Sequence, residues 1–552
     1  MRQKNRPLIA LIALPLMLLL GACDSGSDGS DPAPTPPPGP NISLSGQVSY
    51  DFVPAIPTTQ GGRPSAALDY AQTQAKPVRG VQVVAVDAAG NTLDTGITDA
   101  QGEFSLSIPK NTQIRLRAIS RMQQTGQASW DFAVRDNTSA GFASGQAALY
   151  ALEGPAFDSG EIPQTRNLHA ASGWADLDGY GARVRAAAPF AILDQVYTAI
   201  GKIRGVDPDV QLHPLNIYWS PDNLPADGEV GNGEIGTSHF NHQSPQPGLY
   251  ILGKADVDTD EYDTGVIVHE WGHYFEHYAS RSDSLGGNHG SGDRLNMTVA
   301  FGEGLGNALA GMVRDDPLYV DTSGPRQGIG FSLDLDTIEL ADAGWFSEDA
   351  IQHTLYQWYK SPDIGLASIY HTLTGPQKTT PALTSLYSFA TYLRASAPPG
   401  AQAQIDQSLR TLQMAWGNDL DIWGSRQAYP DNLRPDMQAL ILPIYHDLQI
   451  GEPSRFCLST QYGDYNKLGN RMQFRVQIPQ PGAYRVFVQS EDDGLFFALQ
   501  DRGQEVPTEG KPEEPAPDTG VFNYQLAAGT YVAQFAARTI RGCSILQLDK
   551  KP

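Results

Sequence analysis

The sequence predicts a multidomain chain in which an α+β domain is flanked by two β-sandwich domains. Short runs of alternating apolar and polar residues, separated by turn signals, cover residues 41–120 and again residues 455–552. Between them, residues 181–452 combine a few strand-like runs with segments whose apolar residues recur at helical spacing. A chain of 552 residues is also long enough for three domains of ordinary size.

The first residues of the chain indicate export. Arg2, Lys4 and Arg6 precede an apolar stretch that is too short for an ordinary membrane helix, which is typical of a signal peptide over residues 1–22. The stretch ends in Leu-Gly-Ala-Cys23, which resembles the lipobox of bacterial lipoproteins. This resemblance implies cleavage before Cys23 and lipid attachment to its sulfur, at the periplasmic face or the cell surface. The alternative is a plain signal peptide with a chance cysteine.

The composition limits the partners of the chain. Residues 23–40 are rich in glycine, serine and proline, which predicts a disordered or extended tether. The net charge of −23 disfavours nucleic acid and anionic lipid headgroups as main partners. We therefore expect a monomer that binds no nucleic acid and contacts the membrane through the lipid on Cys23.

Residues 41–120 carry strand and turn signals in regular succession. Apolar and polar residues alternate from Val81 to Ala85, and Thr98-Asp-Ala-Gln-Gly-Glu-Phe104 supplies a turn before the next alternating run. This pattern resembles the carboxypeptidase regulatory-like, transthyretin-type β-sandwich. The resemblance implies a fold and says little about function. Residues 121–180 predict a mixed, strand-rich connecting region.

The segment VIVHEWGHYFEHY, which starts at Val266, predicts a helix that can bind a metal ion. Asp263 stands where a helix N-cap is expected, ahead of three apolar residues. His269 and His273 are four residues apart, about 400° around a helix, so both imidazoles face one side and can reach one ion. Glu270 projects beside them, where it can take a proton from a water molecule at the metal.

A catalytic metal site of this kind needs a third protein ligand. Glu303 follows His273 by thirty residues, within an apolar helical pattern that contains Gly302, Gly304 and Gly306. Each glycine lowers the stability of a helix by about 1 kcal/mol relative to alanine, so their presence favours close packing of this helix on the His-bearing helix. The alternative is that the glycines mark a loop and leave Glu303 in solvent.

These motifs resemble the gluzincin zinc metallopeptidases, the thermolysin-like clan with its zincin-like catalytic fold. The resemblance implies Zn²⁺ on His269, His273 and Glu303, an open position for water, and Glu270 as the general base in peptide hydrolysis. It also implies that Asn307 accepts a hydrogen bond from the first histidine, in place of the aspartate of thermolysin-type enzymes. Gly248–Lys254 corresponds to the substrate-binding edge strand. The implied substrate is a protein or peptide, and the absence of a Gly-x-Met-x-Asn exopeptidase motif favours internal cleavage.

Two features of the central region keep their alternatives open. A donor for the oxygen of the scissile carbonyl is expected later in the chain, with His353 and Tyr356 as candidates and Tyr370 and His371 as alternatives. The alternating aspartates before the motif helix resemble a Ca²⁺-binding loop, but glycine is missing from its sixth position. Helix capping and a solvated turn are therefore the favoured interpretation of this acidic run, with Ca²⁺ as the alternative.

Residues 455–552 return to alternating runs, two of which contain Gly-x-Tyr at matching places, at Tyr484 and Tyr531. This pattern resembles the pre-peptidase C-terminal β-sandwich of secreted bacterial peptidases. Cys457 and Cys543 lie near the two ends of this region, and in an exported protein such a pair most simply forms a disulfide. The less favoured alternative is a zinc site built on the two thiolates.

The residues favour a lipid-anchored, exported zinc metallopeptidase over two other functions. One alternative is a surface-binding lipoprotein or adhesin whose zinc site is structural or idle, and the other is a zinc hydrolase of a non-peptide bond. Glu270 discriminates against the first alternative, because a structural zinc site has no use for a glutamate beside the metal. No Gly-x-Ser-x-Gly motif is present to support serine catalysis.

Overall fold

The computed structural model describes residues 40–174, 184–243, 245–414, 420–425, 442–514 and 518–552. The predicted signal peptide, the tether and the lipidation site at Cys23 lie outside these residues. Within the described ranges, no helix is both long enough and apolar enough to cross a membrane.

The N-terminal region consists of strands. Alternate residues of the long strands are buried, as the alternating sequence predicts. The first strand lies at the centre of one sheet, the eighth belongs to a larger second sheet, and the second and third strands form a two-stranded sheet of their own. The strands are β1 (Asn41–Phe52), β2 (Ala55–Gln60), β3 (Arg63–Leu68), β4 (Gln74–Pro77), β5 (Val81–Asp87), β6 (Thr92–Ile97), β7 (Glu103–Pro109), β8 (Gln113–Gln124), β9 (Trp130–Asp136), β10 (Ala148–Leu149), β11 (Ala151–Glu153), β12 (Phe157–Asp158), β13 (Gln164–Thr165) and β14 (Leu168–Ala170).

The central region adds helices and short strands. Its elements are α1 (Ala188–Arg204), β15 (Leu215–Trp219), β16 (His239–Asn241), β17 (Gly248–Ile251), β18 (Gly253–Lys254), β19 (Asp258–Thr259), α2 (Thr264–Ala279), α3 (Met297–Arg314), β20 (Leu318–Ser323), β21 (Ile329–Asp334), α4 (Glu348–Lys360), α5 (Gly365–Thr372), α6 (Leu386–Ser396) and α7 (Pro399–Thr411). Strands β18 to β21 form a separate four-stranded sheet beside the two long helices α2 and α3.

One ten-stranded sheet crosses the domain boundaries predicted at residues 120 and 180. Its main path runs β16-β17-β15-β9-β8-β5-β6. Strand β15 pairs in parallel with β9 and with β17, so strands of the N-terminal and central regions lie side by side. A single apolar core, which includes Leu44, Phe132, Trp271 and Leu355, extends through both regions. Alternation within single segments could not reveal this pairing between distant segments.

The exposed edge of this sheet is not the predicted strand. Strand β17 lies between β15 and β16, and β16 pairs with it in antiparallel orientation. The prediction that Gly248–Lys254 forms the edge is therefore wrong. Strand β16 has only three residues and lacks an alternating pattern, so periodicity could not predict it.

Most of the acidic run before α2 is buried, contrary to the prediction of helix capping and a solvated turn, and only Asp256 among its acidic residues is exposed. Asp263 does occupy the N-cap position of α2, but its side chain makes no capping hydrogen bond. It accepts hydrogen bonds from the backbone N–H of Thr322 at 2.7 Å and from its hydroxyl. Asp260 is also buried, with 2% of its surface exposed.

The C-terminal region is a β-sandwich with a core of its own. Its strands are β22 (Tyr445–Leu448), β23 (Pro453–Cys457), β24 (Arg471–Ile478), β25 (Gly482–Ser490), β26 (Asp493–Asp501), β27 (Gln504–Glu505), β28 (Thr519–Leu526), β29 (Gly529–Thr539) and β30 (Cys543–Lys550). Two sheets, β22-β24-β29-β26-β27 and β23-β30-β25-β28, enclose Phe474, Tyr484 and Leu546. The disulfide Cys457–Cys543 joins directly paired residues of β23 and β30, which confirms the predicted bridge.

Candidate metal centre

Helices α2 and α3 bring two imidazoles and one carboxylate together. The Nε2 atoms of His269 and His273 are 2.9 Å apart. Oε2 of Glu303 lies 3.1 Å from Nε2 of His273 and 3.3 Å from Nε2 of His269. Ligands about 2.1 Å from a tetrahedral ion are roughly 3.3 Å apart, so this triangle fits one metal ion. His269 and Glu303 are buried and His273 is nearly so, and the three form a group that could hold an ion.

A glycine contact allows the two helices to approach so closely. A Cβ atom added to Gly306 would lie 2.9 Å from Cε1 and Nδ1 of His269. A Cβ atom added to Gly272 would lie 3.3 Å from the Cα atom of Gly306. Of the four glycines in α3, Gly306 is thus the one that packs against the ring of His269, whereas Gly302 lies against Ser284 and the carboxylate of Glu276. Gly304 packs against Ile351 of α4 instead.

Asn307 fixes the orientation of the first histidine. Its Oδ1 atom lies 2.7 Å from Nδ1 of His269. Its Nδ2 atom donates to Oε1 of Glu348 at 2.8 Å and to Oε1 of Gln352 at 2.7 Å. Because both protons of the amide nitrogen are used by these acceptors, Oδ1 is left to accept the Nδ1–H of His269. The Nε2 lone pair of His269 then points toward Glu303, as a metal ligand requires.

Glu270 lies beside the three candidate ligands and is anchored by the sheet edge. Its Oε2 atom accepts a hydrogen bond of 2.8 Å from the backbone N–H of Phe240 in β16. Its Oε1 atom lies 4.0 Å from Nε2 of His269, on the side of the ligand triangle. With 8% of its surface exposed, Glu270 retains access to the adjacent cleft.

His289 contacts the candidate metal centre and was not predicted. Its Nε2 atom lies 3.3 Å from Oε2 of Glu303, and its Nδ1 atom lies 2.7 Å from Oε2 of Glu348. Burial opposes a charge on His289, but hydrogen bonds to both glutamates outweigh it and raise the pKa of the imidazole to about 11. His289 stands in a Gly/Ser-rich stretch without periodicity, so only the identity of the residue could have drawn attention to it.

The stretch that carries His289, residues 282–291, is here named the cleft loop. It lines an open cleft of about 1300 Å³ together with residues 237–243 at the sheet edge. The C-terminal sandwich supplies a further wall, which includes Arg471, Phe496 and Gln534. The candidate metal centre therefore lies at the bottom of a cleft built from the central region and the C-terminal sandwich.

A turn of the C-terminal region fastens the cleft loop. Nδ2 of Asn466 donates to the carbonyl oxygens of Gly286 at 2.9 Å and Asn288 at 3.2 Å. Nζ of Lys467 donates to the same Asn288 carbonyl at 2.5 Å and pairs with Asp293 at 3.2 Å. These contacts place the loop over the centre.

The structure does not bring the predicted carbonyl-oxygen donors to the cleft. Nδ1 of His353 lies 2.8 Å from the carbonyl oxygen of Leu335, and the ring of Tyr356 packs beside Gly311. Helix α4 presents Glu348 and Gln352 to the site. Residues 353 and 356 are rotated by about 100° and 40° from Gln352, toward other neighbours. Tyr370 and His371 do not line the cleft either.

Comparisons with known proteins assign no family to the whole chain. No family model matches it, and no curated protein matches it. One similar solved structure is the pre-peptidase C-terminal domain of a collagenase from Bacillus anthracis, with 9% identity and a TM-score of 0.16. The match covers 19% of this chain and 93% of that domain.

Proposed function

We propose that the chain is an exported, lipid-anchored zinc metallopeptidase that cleaves proteins internally. The observation that carries this proposal is the position of Glu270. It lies in an open cleft directly beside a buried group of two histidines and one glutamate that could hold one ion. A structural site would need only the three ligands, whereas hydrolysis also needs a base beside them.

The donor set fits Zn²⁺. Two imidazole nitrogens and one carboxylate oxygen are a common set for catalytic zinc, which keeps a further position open to the cleft. When bound, Zn²⁺ would supply Lewis acidity, which makes water more acidic and polarises the substrate carbonyl. Asn307 and Glu348 hold His269 in the required orientation, so the site is organised before the ion arrives.

Glu270 acts first as the general base and then as the proton donor in this proposal. The backbone N–H of Phe240 occupies its Oε2 atom, which leaves Oε1 directed toward the ligand triangle. Oε1 accepts a proton as water attacks the scissile carbonyl carbon. Glu270 then donates that proton to the leaving amine, which restores the carboxylate.

The cleft walls orient the peptide. Strand β16 is the free edge of the sheet, so an extended substrate can add to it through backbone hydrogen bonds. His289, held by Glu348 and Glu303, is the chain's candidate to stabilise the carbonyl oxygen, because its positive charge lies beside the centre where negative charge develops. It takes the role for which His353 and Tyr356 were predicted.

The first experiment measures zinc content and casein cleavage for the mature chain from Asp24 onward. The variants are Glu270→Gln and, as a matched control, Glu452→Gln, an exposed glutamate far along the chain. We expect about one zinc per chain in all three proteins and cleavage abolished only in Glu270→Gln.

The other outcomes count against the proposal in different ways. Retained zinc without cleavage by the unaltered chain, across several protein substrates, would favour a binding lipoprotein or a hydrolase of non-peptide bonds. Absence of zinc from the unaltered chain would overturn the proposed metal chemistry.

A further inference from the structure

A second group of oxygen ligands lies in the wall of the same cleft. Asp258 in β19, Asp260 just after it and Asp321 in β20 each direct a carboxylate oxygen to one place, and these oxygens lie within 4.8 Å of one another. Among the described residues, Oδ1 of Asp258 and Oδ1 of Asp260 are buried and have no hydrogen-bond partner.

The charges around this group are negative. Asp263 and Glu261 are buried nearby, and the buried guanidinium of Arg185 pairs with Glu261 at 2.8 Å. Burial raises the pKa of Asp258 to about 6, and burial together with the charge of Asp258 raises the pKa of Asp321 to about 7. An uncompensated buried carboxylate is strongly unfavourable, so this group needs a positive partner when it is ionised.

We propose that Asp258, Asp260 and Asp321 together bind one Ca²⁺ ion, separate from the histidine centre. All the donors are hard oxygens, with no nitrogen or sulfur among them, which favours Ca²⁺ over Zn²⁺. Three carboxylate oxygens within 4.8 Å of one another can all reach one Ca²⁺ ion at about 2.4 Å, whereas Mg²⁺ is usually held by one or two carboxylates and keeps several waters. The cleft supplies water for the remaining positions.

The ion would fix one wall of the substrate cleft. The hydroxyl of Ser238 donates to Oδ2 of Asp260 and accepts the backbone N–H of Leu252 at 2.9 Å. Ser238 directly precedes β16, whose Phe240 holds Glu270. Calcium on Asp260 therefore orders the start of the edge strand that flanks Glu270.

The test is a calorimetric titration of CaCl₂ into the full mature chain, stripped of metal with EDTA and desalted. Thermal unfolding is measured with and without calcium. The variants are Asp321→Asn and Asp258→Asn, and the matched control is His269→Ala in the other centre. We expect one Ca²⁺ site in the unaltered chain and in His269→Ala, and at least tenfold weaker binding in the two aspartate variants.

The unfolding temperatures distinguish a calcium ligand from an aspartate with a purely structural role. Without calcium, each Asp→Asn variant should be at least as stable as the unaltered chain, because a buried repulsion is relieved. With calcium, the unaltered chain should unfold at a higher temperature than either Asp→Asn variant. Absence of calcium binding by the unaltered chain would overturn the proposal, as would binding that the aspartate variants leave unchanged or that only His269→Ala removes. Neither the calcium titration nor the unfolding measurement depends on zinc or on peptide cleavage.

Discussion

The cleft contains two groups of candidate metal ligands, and the two groups differ in what surrounds them. In the histidine centre, Asn307 orients His269, and His289 lies against Glu303. In the aspartate group, Oδ1 of Asp258 and Oδ1 of Asp260 have no partner among the described residues. Ligands with partners keep their geometry whether or not an ion is bound. Ligands without partners depend on the ion for compensation of their charge, so their site is expected to contribute to stability as well as to binding.

Loss of a histidine ligand should produce the largest effect and separate the two sites. We expect His273→Ala to lower zinc affinity by more than the ~10–100-fold that loss of an outer hydrogen-bond partner costs, and to abolish cleavage. Calcium binding should be unchanged, since the aspartates do not contact His273. Competition with a zinc indicator measures the first effect, and calorimetry measures the second. If His273→Ala also removed calcium binding, the two groups would not be separate sites.

A methyl group on Gly306 tests whether helix packing sets the ligand geometry. In Gly306→Ala the new Cβ atom would lie 2.9 Å from the ring of His269, so the ring must move. We expect zinc affinity to fall about 10–100-fold, as for a lost orienting contact. The matched control is Gly201→Ala in α1, where no atom lies within 4 Å of the added Cβ. Because this helix position is exposed, Gly201→Ala should raise the free energy of unfolding by up to about 1 kcal/mol and leave zinc affinity unchanged. Equal zinc affinities in both variants would contradict the packing argument.

Asn307 tests the partners of the histidine centre directly. Asn307→Ala removes the acceptor for Nδ1 of His269 and leaves Glu348 and Gln352 without their shared donor. We expect a fall in zinc affinity toward the lower end of ~10–100-fold, with the aspartate site unaffected. Zinc competition and calcium titration on the same preparation provide the comparison. A variant with unaltered zinc affinity would show that His269 needs no such partner.

Removal of the disulfide should have the smallest effect on the affinity for either ion. Replacement of Cys457 and Cys543 by serine should destabilise the C-terminal sandwich by about 2–5 kcal/mol, because the bridge constrains the unfolded chain. The residues of both metal groups lie outside this sandwich, so zinc and calcium affinities should stay within about twofold at temperatures where it remains folded. Denaturant unfolding and the two titrations test this expectation. A large loss of zinc affinity in the folded variant would show that the sandwich supports the centre more directly.

The part of the site that follows local rules could be predicted from the sequence. His269, Glu270 and His273 share a helix, so their spacing determines which residues face together. Glu303 lies on another helix, but its apolar, glycine-rich surroundings still indicated a buried helix close to the first. The first interpretation depends on helical periodicity, and the second also depends on the glycines and on the need for a third ligand.

The parts of the site and of the fold that the sequence did not predict depend on contacts between distant segments. Asp321 follows Asp260 by 61 residues and reaches it through the pairing of β19 with β20, which no loop spacing reveals. His289 comes from a loop without periodicity. The parallel pairing of β9 with β15 joined two predicted domains into one sheet, although each strand alone was recognisable.

The contacts of Asn466 and Lys467 with the cleft loop have a consequence for biogenesis. These two residues stand within the last hundred of the chain, whereas the helices with the histidines and Glu303 are complete more than 150 residues earlier. A polypeptide that is still being made can therefore form the helix pair before its covering loop is held in place. The cleft reaches its final shape only after the C-terminal sandwich has folded.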